Sequence, residues 1–79
     1  MTCRDEVLAC CRALERETGR TTFSVAEIIE RMEAQGTFYM ESTIRTHVTS
    51  RMCVNAPSNH GTTYGDLERV SRGYYRLVR

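Results

Sequence analysis

The stretch from Glu41 to Met52 combines hydroxyls and arginines in a pattern that suits contact with a nucleic acid. At about 100° per residue, Ile44, Val48 and Met52 fall on one narrow apolar stripe. Surface helices usually favour Glu, Lys, Gln and Ala opposite such a stripe. Here that side carries Ser42, Thr43, Thr46, Thr49 and Ser50, flanked by Arg45, His47 and Arg51. Since hydroxyls can reach base edges or phosphates, and arginine can fork onto phosphate or guanine, the stretch predicts a helix that reads DNA.

The charge of the chain is unevenly distributed, although its net value is only +1. Residues 1–41 hold five Arg against eight acidic residues, or −3. Residues 42–79 hold six Arg against two acidic residues, or +4. The basic half contains the hydroxyl-rich stretch, which favours an anionic partner on that side.

Two further helices are predicted to support this one. Helix 1 is expected over residues 4–18, helix 2 over residues 24–35 and the hydroxyl-rich helix 3 over residues 41–53. Each of the first two opens with a hydroxyl followed three residues later by an acid, which is a capping box, and closes near a glycine. The boxes are Thr2 with Asp5 and Ser24 with Glu27, and the glycines are Gly19 and Gly36. The β-branched and aromatic residues 21–23 are consistent with a short strand between the first two helices.

A connection and a hairpin complete the predicted organisation. Either Phe38 or Tyr39 is expected to wedge between helices 2 and 3. Residues 54–65 are expected to form a loop, and residues 66–78 a β-hairpin that turns at Arg72 and Gly73. Tyr74 and Tyr75 are interpreted as sheet packing, and alternation alone leaves open which face of the second strand points inward. The chain is thus predicted to be one α+β domain spanning residues 1–79.

The four cysteines are interpreted as reduced core residues. On helix 1, Cys3, Cys10 and Cys11 fall on the same side as Val7 and Leu14. The sequence contains no CxxC pair, and neither histidine stands at zinc-ligand spacing from a cysteine. We therefore expect no metal and no cofactor.

The order of helix, short strand, helix, turn, helix and hairpin resembles the winged helix-turn-helix, over nearly the whole chain. Glu41-Ser42-Thr43-Ile44-Arg45-Thr46-His47-Val48 looks like the recognition-helix opening of many bacterial DNA-binding domains. Leu67-Glu68-Arg69-Val70-Ser71-Arg72-Gly73-Tyr74-Tyr75-Arg76-Leu77 looks like the closing hairpin of small winged-helix modules, including some that accompany restriction or defence nucleases. The resemblance implies that helix 3 enters a major groove and that the hairpin is a wing along the backbone or minor groove. Residues 53–65 are longer and more polar than a minimal winged helix needs.

The resemblance assigns a role to each candidate DNA-binding residue. The groove-facing candidates are Ser42, Thr43, Arg45, Thr46, Thr49 and Ser50, and the phosphate candidates are Arg51, Arg69, Arg72 and Arg76. From the loop, Asn59, His60 and Thr62 are candidates for the backbone or minor groove. Arg45 and Thr46 are the foremost, since base contacts concentrate in the first turns of a recognition helix. The alternative interpretation is that these are ordinary solvent-facing residues.

The sequence favours a binding domain over an enzyme. It contains no Gly-rich phosphate loop, nucleophile elbow or paired histidines at metal spacing. With no apolar run of membrane-spanning length, a cytoplasmic protein is expected. The expected partner is double-stranded DNA, bound by a transcriptional regulator or a DNA-targeting module. The alternative is a winged-helix docking or dimerisation module that binds a second copy or a larger protein.

Overall fold

Two capping boxes start the first two helices of the computed structural model, which describes residues 2–55 and 64–78. The Asp5 backbone N–H donates to Thr2 Oγ1, and the Asp5 carboxylate accepts from the Thr2 N–H. A second such pair, Ser24 with Glu27, opens the second helix. The helices are α1 (Cys3–Thr18), α2 (Val25–Ala34) and α3 (Glu41–Thr46). Gly19 ends α1 with a left-handed φ of 73°, which glycine adopts without strain.

The third helix changes its winding after six residues. A π turn over His47–Arg51 continues α3, and within it the Met52 N–H donates to the His47 carbonyl at 2.8 Å. This i→i+5 bond encloses one residue more than the α-helical bond. The sequence predicted one regular helix over residues 41–53, whereas the structure has a π turn in its second half. No side chain caps the start of α3, which follows Met40.

The three strands form one antiparallel sheet. They are β1 (Thr22–Ser24), β2 (Leu67–Ser71) and β3 (Tyr74–Leu77), in the order β1-β3-β2. Gly73 supplies the positive φ, 79°, in the turn between β2 and β3, as the sequence predicted. The short strand and the hairpin thus belong to the same sheet, and the prediction of an α+β domain is confirmed.

The register of the sheet decides which face is buried. Phe23 lies opposite Tyr75, and Leu67 lies opposite Leu77, on the face that packs on the helices. Phe23, Leu67 and Tyr75 are at most 5% exposed. Thr22, Glu68 and Arg76 are neighbours on the outer face. The inward side of β3, which alternation left open, is therefore that of Tyr75.

Sixteen buried apolar side chains form the core among the described residues. They come from all three helices, the π turn and all three strands: Cys3, Val7, Cys10, Cys11, Leu14, Phe23, Val25, Ile28, Ile29, Met32, Ile44, Val48, Met52, Cys53, Leu67 and Tyr75. The prediction that the cysteines are core residues is confirmed, because all four are buried and none of them forms a disulfide.

Two aromatic residues lie elsewhere than the sequence suggested. Phe38 is 101% exposed, so the alternative that made it the wedge between helices is wrong. Tyr39 is the partly buried residue that packs against the core. Tyr74 is 46% exposed, whereas its neighbour Tyr75 is buried. An aromatic pair on a strand points to opposite faces, so only one of the two can pack inward.

Candidate nucleic-acid interface

The outer side of helix 3 forms an open depression. Its lining consists of Ser42, Thr43, Thr46, His47 and Arg51. These side chains face outward because the apolar stripe anchors the opposite side, where Ile44 and Val48 are fully buried. The structure thus brings together four of the predicted DNA-binding residues and adds His47, which the sequence placed on a flank.

The π turn sets the direction of Arg51. In a regular α-helix Arg51 would stand seven residues after Ile44, which is two turns, and so would lie near the buried stripe. Across the π turn Met52 is fully buried, as the apolar stripe predicted, whereas Arg51 is exposed and lines the depression. From the sequence, Arg51 was predicted to lie on a flank of the outer side, and no pattern indicated this change of winding.

Three side chains of the outer side bond back to the helix backbone. Thr46 Oγ1 donates to the Ser42 carbonyl at 2.9 Å, and Thr49 Oγ1 donates to the Arg45 carbonyl at 2.7 Å. His47 Nδ1 lies 2.9 Å from the Thr43 carbonyl oxygen. These bonds hold the side chains in fixed orientations along the helix.

Arg45 is held by an ion pair within its own helix. Its guanidinium lies 3.3 Å from a carboxylate oxygen of Glu41, one turn earlier. Both side chains are more than half exposed, at 52% and 59%. An exposed pair of this kind is worth little, so a phosphate can displace the carboxylate at small cost.

A second polar depression lies on the hairpin. Asn55, Arg69, Val70, Ser71 and Arg72 line it. Asn55 accepts from the Arg69 N–H at 2.8 Å and donates to the Arg69 carbonyl at 3.0 Å, so its amide pairs with the edge of β2 as a strand would. No local sequence pattern indicates this pairing, because the two residues are 14 positions apart in the chain.

Backbone hydrogen bonds connect the end of helix 3 to β2. The Tyr64 N–H donates to the Arg51 carbonyl at 2.7 Å, and the Val54 N–H donates to the Leu67 carbonyl at 2.8 Å. Cys53 and Leu67 form a parallel bridge beside them. The two depressions are therefore attached to each other through residues 51–55 and 64–67.

Arg4 adds an anchor from α1 to the same segment. Its guanidinium donates to both carboxylate oxygens of Asp66, at 2.7 and 2.9 Å, and lies 4.4 Å from the centre of the Tyr64 ring. Two parallel hydrogen bonds and a stacked ring restrict the orientation of the guanidinium. It fixes the start of β2 against α1.

Two of the remaining predicted residues, Arg76 and Ser50, belong to the described part of the chain. Arg76 is on the outer face of the sheet, where its Nε donates to Glu68 at 2.6 Å, in a cleft that Glu15 and Thr21 also line. Asn59, His60 and Thr62 lie outside the described residues. Ser50 is partly buried.

Metal binding and thiol chemistry would depend on the His, Cys, Asp and Glu side chains in the described part of the chain. No group of three His, Cys, Asp or Glu residues there could hold a metal ion. Burial raises the pKa of the Cys10 thiol to about 11 and that of Cys11 to about 12, so both are protonated and poorly nucleophilic near neutral pH. None of the described helices has the length and apolarity needed to cross a membrane.

One family model matches nearly the whole chain. Its description is "Domain of unknown function (DUF7669)", and the match covers residues 3–77. No curated protein and no solved structure matches the chain.

Proposed function

We propose that this chain, which belongs to the DUF7669 family, binds double-stranded DNA in the manner of a winged helix-turn-helix. In this proposal α3 and its π turn enter the major groove, and the β2–β3 hairpin is the wing. The order of three helices, with a short strand after the first and a hairpin after the third, supports this arrangement. The role would be that of a transcriptional regulator or a DNA-targeting module.

The composition of the outer side of helix 3 carries the proposal. From Ser42 to Arg51 the chain holds two arginines, a histidine and five hydroxyl residues but no Asp or Glu. By contrast, the exposed positions of α2 include Glu30 and Glu33. A surface that approaches the phosphates of a duplex is expected to lack carboxylates, because a carboxylate and a phosphate repel each other at contact distance.

The hairpin supports the proposal as a second point of contact. Arg69 and Arg72 lie together in its depression, and residues 51–55 attach that depression to helix 3. Two arginine-bearing surfaces at a set spacing can hold a duplex in one orientation, which is the role of phosphate contacts. With only a few such contacts, we expect a non-specific Kd of about 10⁻⁴–10⁻⁶ M at physiological salt.

Fluorescence anisotropy with a labelled mixed-sequence duplex tests the proposal. We expect binding that weakens between about 50 and 200 mM salt, with a log–log slope of about −0.9 per phosphate neutralised. The paired substitution Arg45→Ala and Arg51→Ala should weaken binding at low salt by about tenfold or more and reduce the slope by about 0.9 for each of the two that neutralises a phosphate.

A matched control separates the proposed surface from net charge. Arg12→Ala with Arg16→Ala removes the same charge from the exposed side of α1, and we expect it to leave most of the affinity. Equal losses in both double variants would show that helix 3 is not the contact surface.

A docking function is the second candidate, favoured by the exposed apolar residues before α3. Phe38 is 101% exposed and Met40 is 71% exposed, and large exposed side chains this close together are typical of protein contacts. In that case the folded protein would bind no duplex at low salt, and Phe38→Ser would change its oligomeric state or its capture of a protein partner.

A further inference from the structure

We propose that the outer side of helix 3 presents hydrogen-bond acceptors at its centre, and therefore selects duplexes that offer adenine or cytosine amino groups there. The inference rests on the proposed function and deepens it by naming the chemistry of the preferred site. It follows from where the hydrogens of Thr46, His47 and Thr49 must point.

The two threonine hydroxyls have their hydrogens directed toward the helix. A carbonyl oxygen only accepts, so Thr46 Oγ1 at 2.9 Å from the Ser42 carbonyl and Thr49 Oγ1 at 2.7 Å from the Arg45 carbonyl are both donors. The lone pairs of the two oxygens remain for an outside partner. If either hydroxyl turned outward as a donor, its hydrogen bond to the helix carbonyl would break, and the stabilisation from that bond would be lost.

The same argument fixes the tautomer of His47. Nδ1 lies 2.9 Å from the Thr43 carbonyl oxygen, so Nδ1 carries the hydrogen. In the neutral ring Nε2 then has a lone pair and no hydrogen. The hydrogen bonds of the described residues leave Nε2 unused, and His47 lines the depression together with Thr46.

The three acceptors, which lie between Arg45 and Arg51 in the chain, are mismatched to most of what a duplex offers. Phosphate oxygens, guanine N7 and O6, and thymine O4 are acceptors too. Adenine N6 and cytosine N4 are the amino donors of the major groove. Arg45 and Arg51 supply donors at the two flanks, where phosphates or guanine fit. The helix therefore carries acceptors in the middle and donors at its edges.

The experiment deletes single amino groups from a preferred duplex. Site selection at pH 8 first supplies the duplex. Adenine is then replaced by purine, or cytosine by its analogue without the 4-amino group, one position at a time. We expect at least one deletion to weaken binding of the unchanged protein by about three- to tenfold, the effect of one lost hydrogen bond.

Protein variants complete a double-mutant cycle. Thr46→Val and Thr49→Val keep the shape of the side chain and remove its oxygen, and His47→Phe removes Nε2. One of these variants should bind the intact and the deleted duplex equally, because the contact is already lost. Thr21→Val, at an exposed position beside Arg76, is the control and should retain the full effect of the deletion. Circular dichroism and thermal melting identify the variants that fold, and three independent positions keep the test open if one does not.

Two results overturn the inference without touching the proposed function. In the first, deleting amino groups leaves binding unchanged, whereas removing guanine O6 or N7 weakens it. In the second, each amino-group deletion lowers the duplex affinity of every protein variant by the same factor. Absence of any salt-sensitive duplex binding would instead overturn the proposed function, and this inference with it.

Discussion

At the scale of single residues, Glu41 places a negative charge next to residues 42–51, the surface that is proposed to bind DNA. Its carboxylate holds the Arg45 guanidinium at 3.3 Å, and it precedes the ten residues, 42–51, that carry no acid. An i,i+4 pair of this kind stabilises the helix slightly. It also keeps an arginine occupied that the proposed DNA contact would use.

Replacing this carboxylate should strengthen DNA binding. We expect Glu41→Gln to raise duplex affinity about two- to fivefold at low salt, since it releases Arg45 and removes a charge that repels phosphate. Anisotropy titration measures the change. Glu33→Gln makes the same charge change on the exposed side of α2, and an equal gain there would assign the effect to net charge.

Single residues also show where sequence reasoning reaches its limit. The capping boxes and the glycines Gly19 and Gly73 are local patterns, and the structure places them as the sequence predicted. The exposure of Phe38 is a tertiary outcome, because it is the neighbouring Tyr39 that packs against the core. The assignment of candidate DNA-binding residues stays a prediction.

At the scale of elements, Asn55 protects the edge of the sheet. β2 is an outer strand, and such an edge exposes backbone groups that can pair with another chain. The Asn55 amide occupies both backbone groups of Arg69, while Val54 bonds the Leu67 carbonyl. The segment after the π turn thus takes the place of a fourth strand.

Removing this amide should destabilise the domain. We expect Asn55→Ala to lower the free energy of unfolding by about 1 kcal/mol, because two hydrogen bonds exposed to solvent are lost. Urea denaturation measures it. Asn55→Asp keeps the acceptor and loses the donor, so an intermediate loss is expected, and unchanged stability in both variants would contradict the role of Asn55.

Elements were predictable where short-range patterns define them. Helix caps and the hairpin turn depend on residues two to four apart, which the sequence displays directly. The π turn depends on tertiary surroundings, since Met52 is fully buried and Arg51 is exposed. The Asn55 contact and the position of Arg76 depend on the sheet order, which periodicity alone does not specify.

At the scale of the whole molecule, the acidic half is stabilised by its own carboxylates. The Arg31 guanidinium lowers the pKa of Glu17, and the Arg20 guanidinium lowers that of Glu27. The Thr2 cap lowers the pKa of Asp5. These groups tie α1 to α2 and fix the start of both helices.

The domain should therefore lose stability in acid. A carboxyl whose pKa is lower in the folded than in the unfolded state stabilises the fold above its unfolded pKa, and this contribution disappears as the pH falls through the folded value. We expect the free energy of unfolding to be maintained from pH 7 to about 5 and to fall below about pH 4. Urea denaturation at pH 7 and pH 3 measures the difference.

Removing one such carboxylate should reduce the acid sensitivity. Glu27→Gln should show a smaller loss between pH 7 and pH 3 than the unchanged protein, because one titrating contribution is already absent. Glu30→Gln, on the exposed side of α2, is the control. An identical loss in all three proteins would show that Glu27 contributes nothing to the pH dependence.

The sheet order has a consequence for synthesis. β3 comes last of the three strands in the chain but lies between the other two, so β1 and β2 have no common partner until residues 74–77 exist. Pairing β1 with β3 joins residues about fifty positions apart, as Phe23 and Tyr75 show. Such distant contacts form late in folding. During synthesis on the ribosome, α1 and α2 can therefore pack against each other early. Strand β1, which contains Phe23, can pair only after Tyr75 has emerged from the exit tunnel.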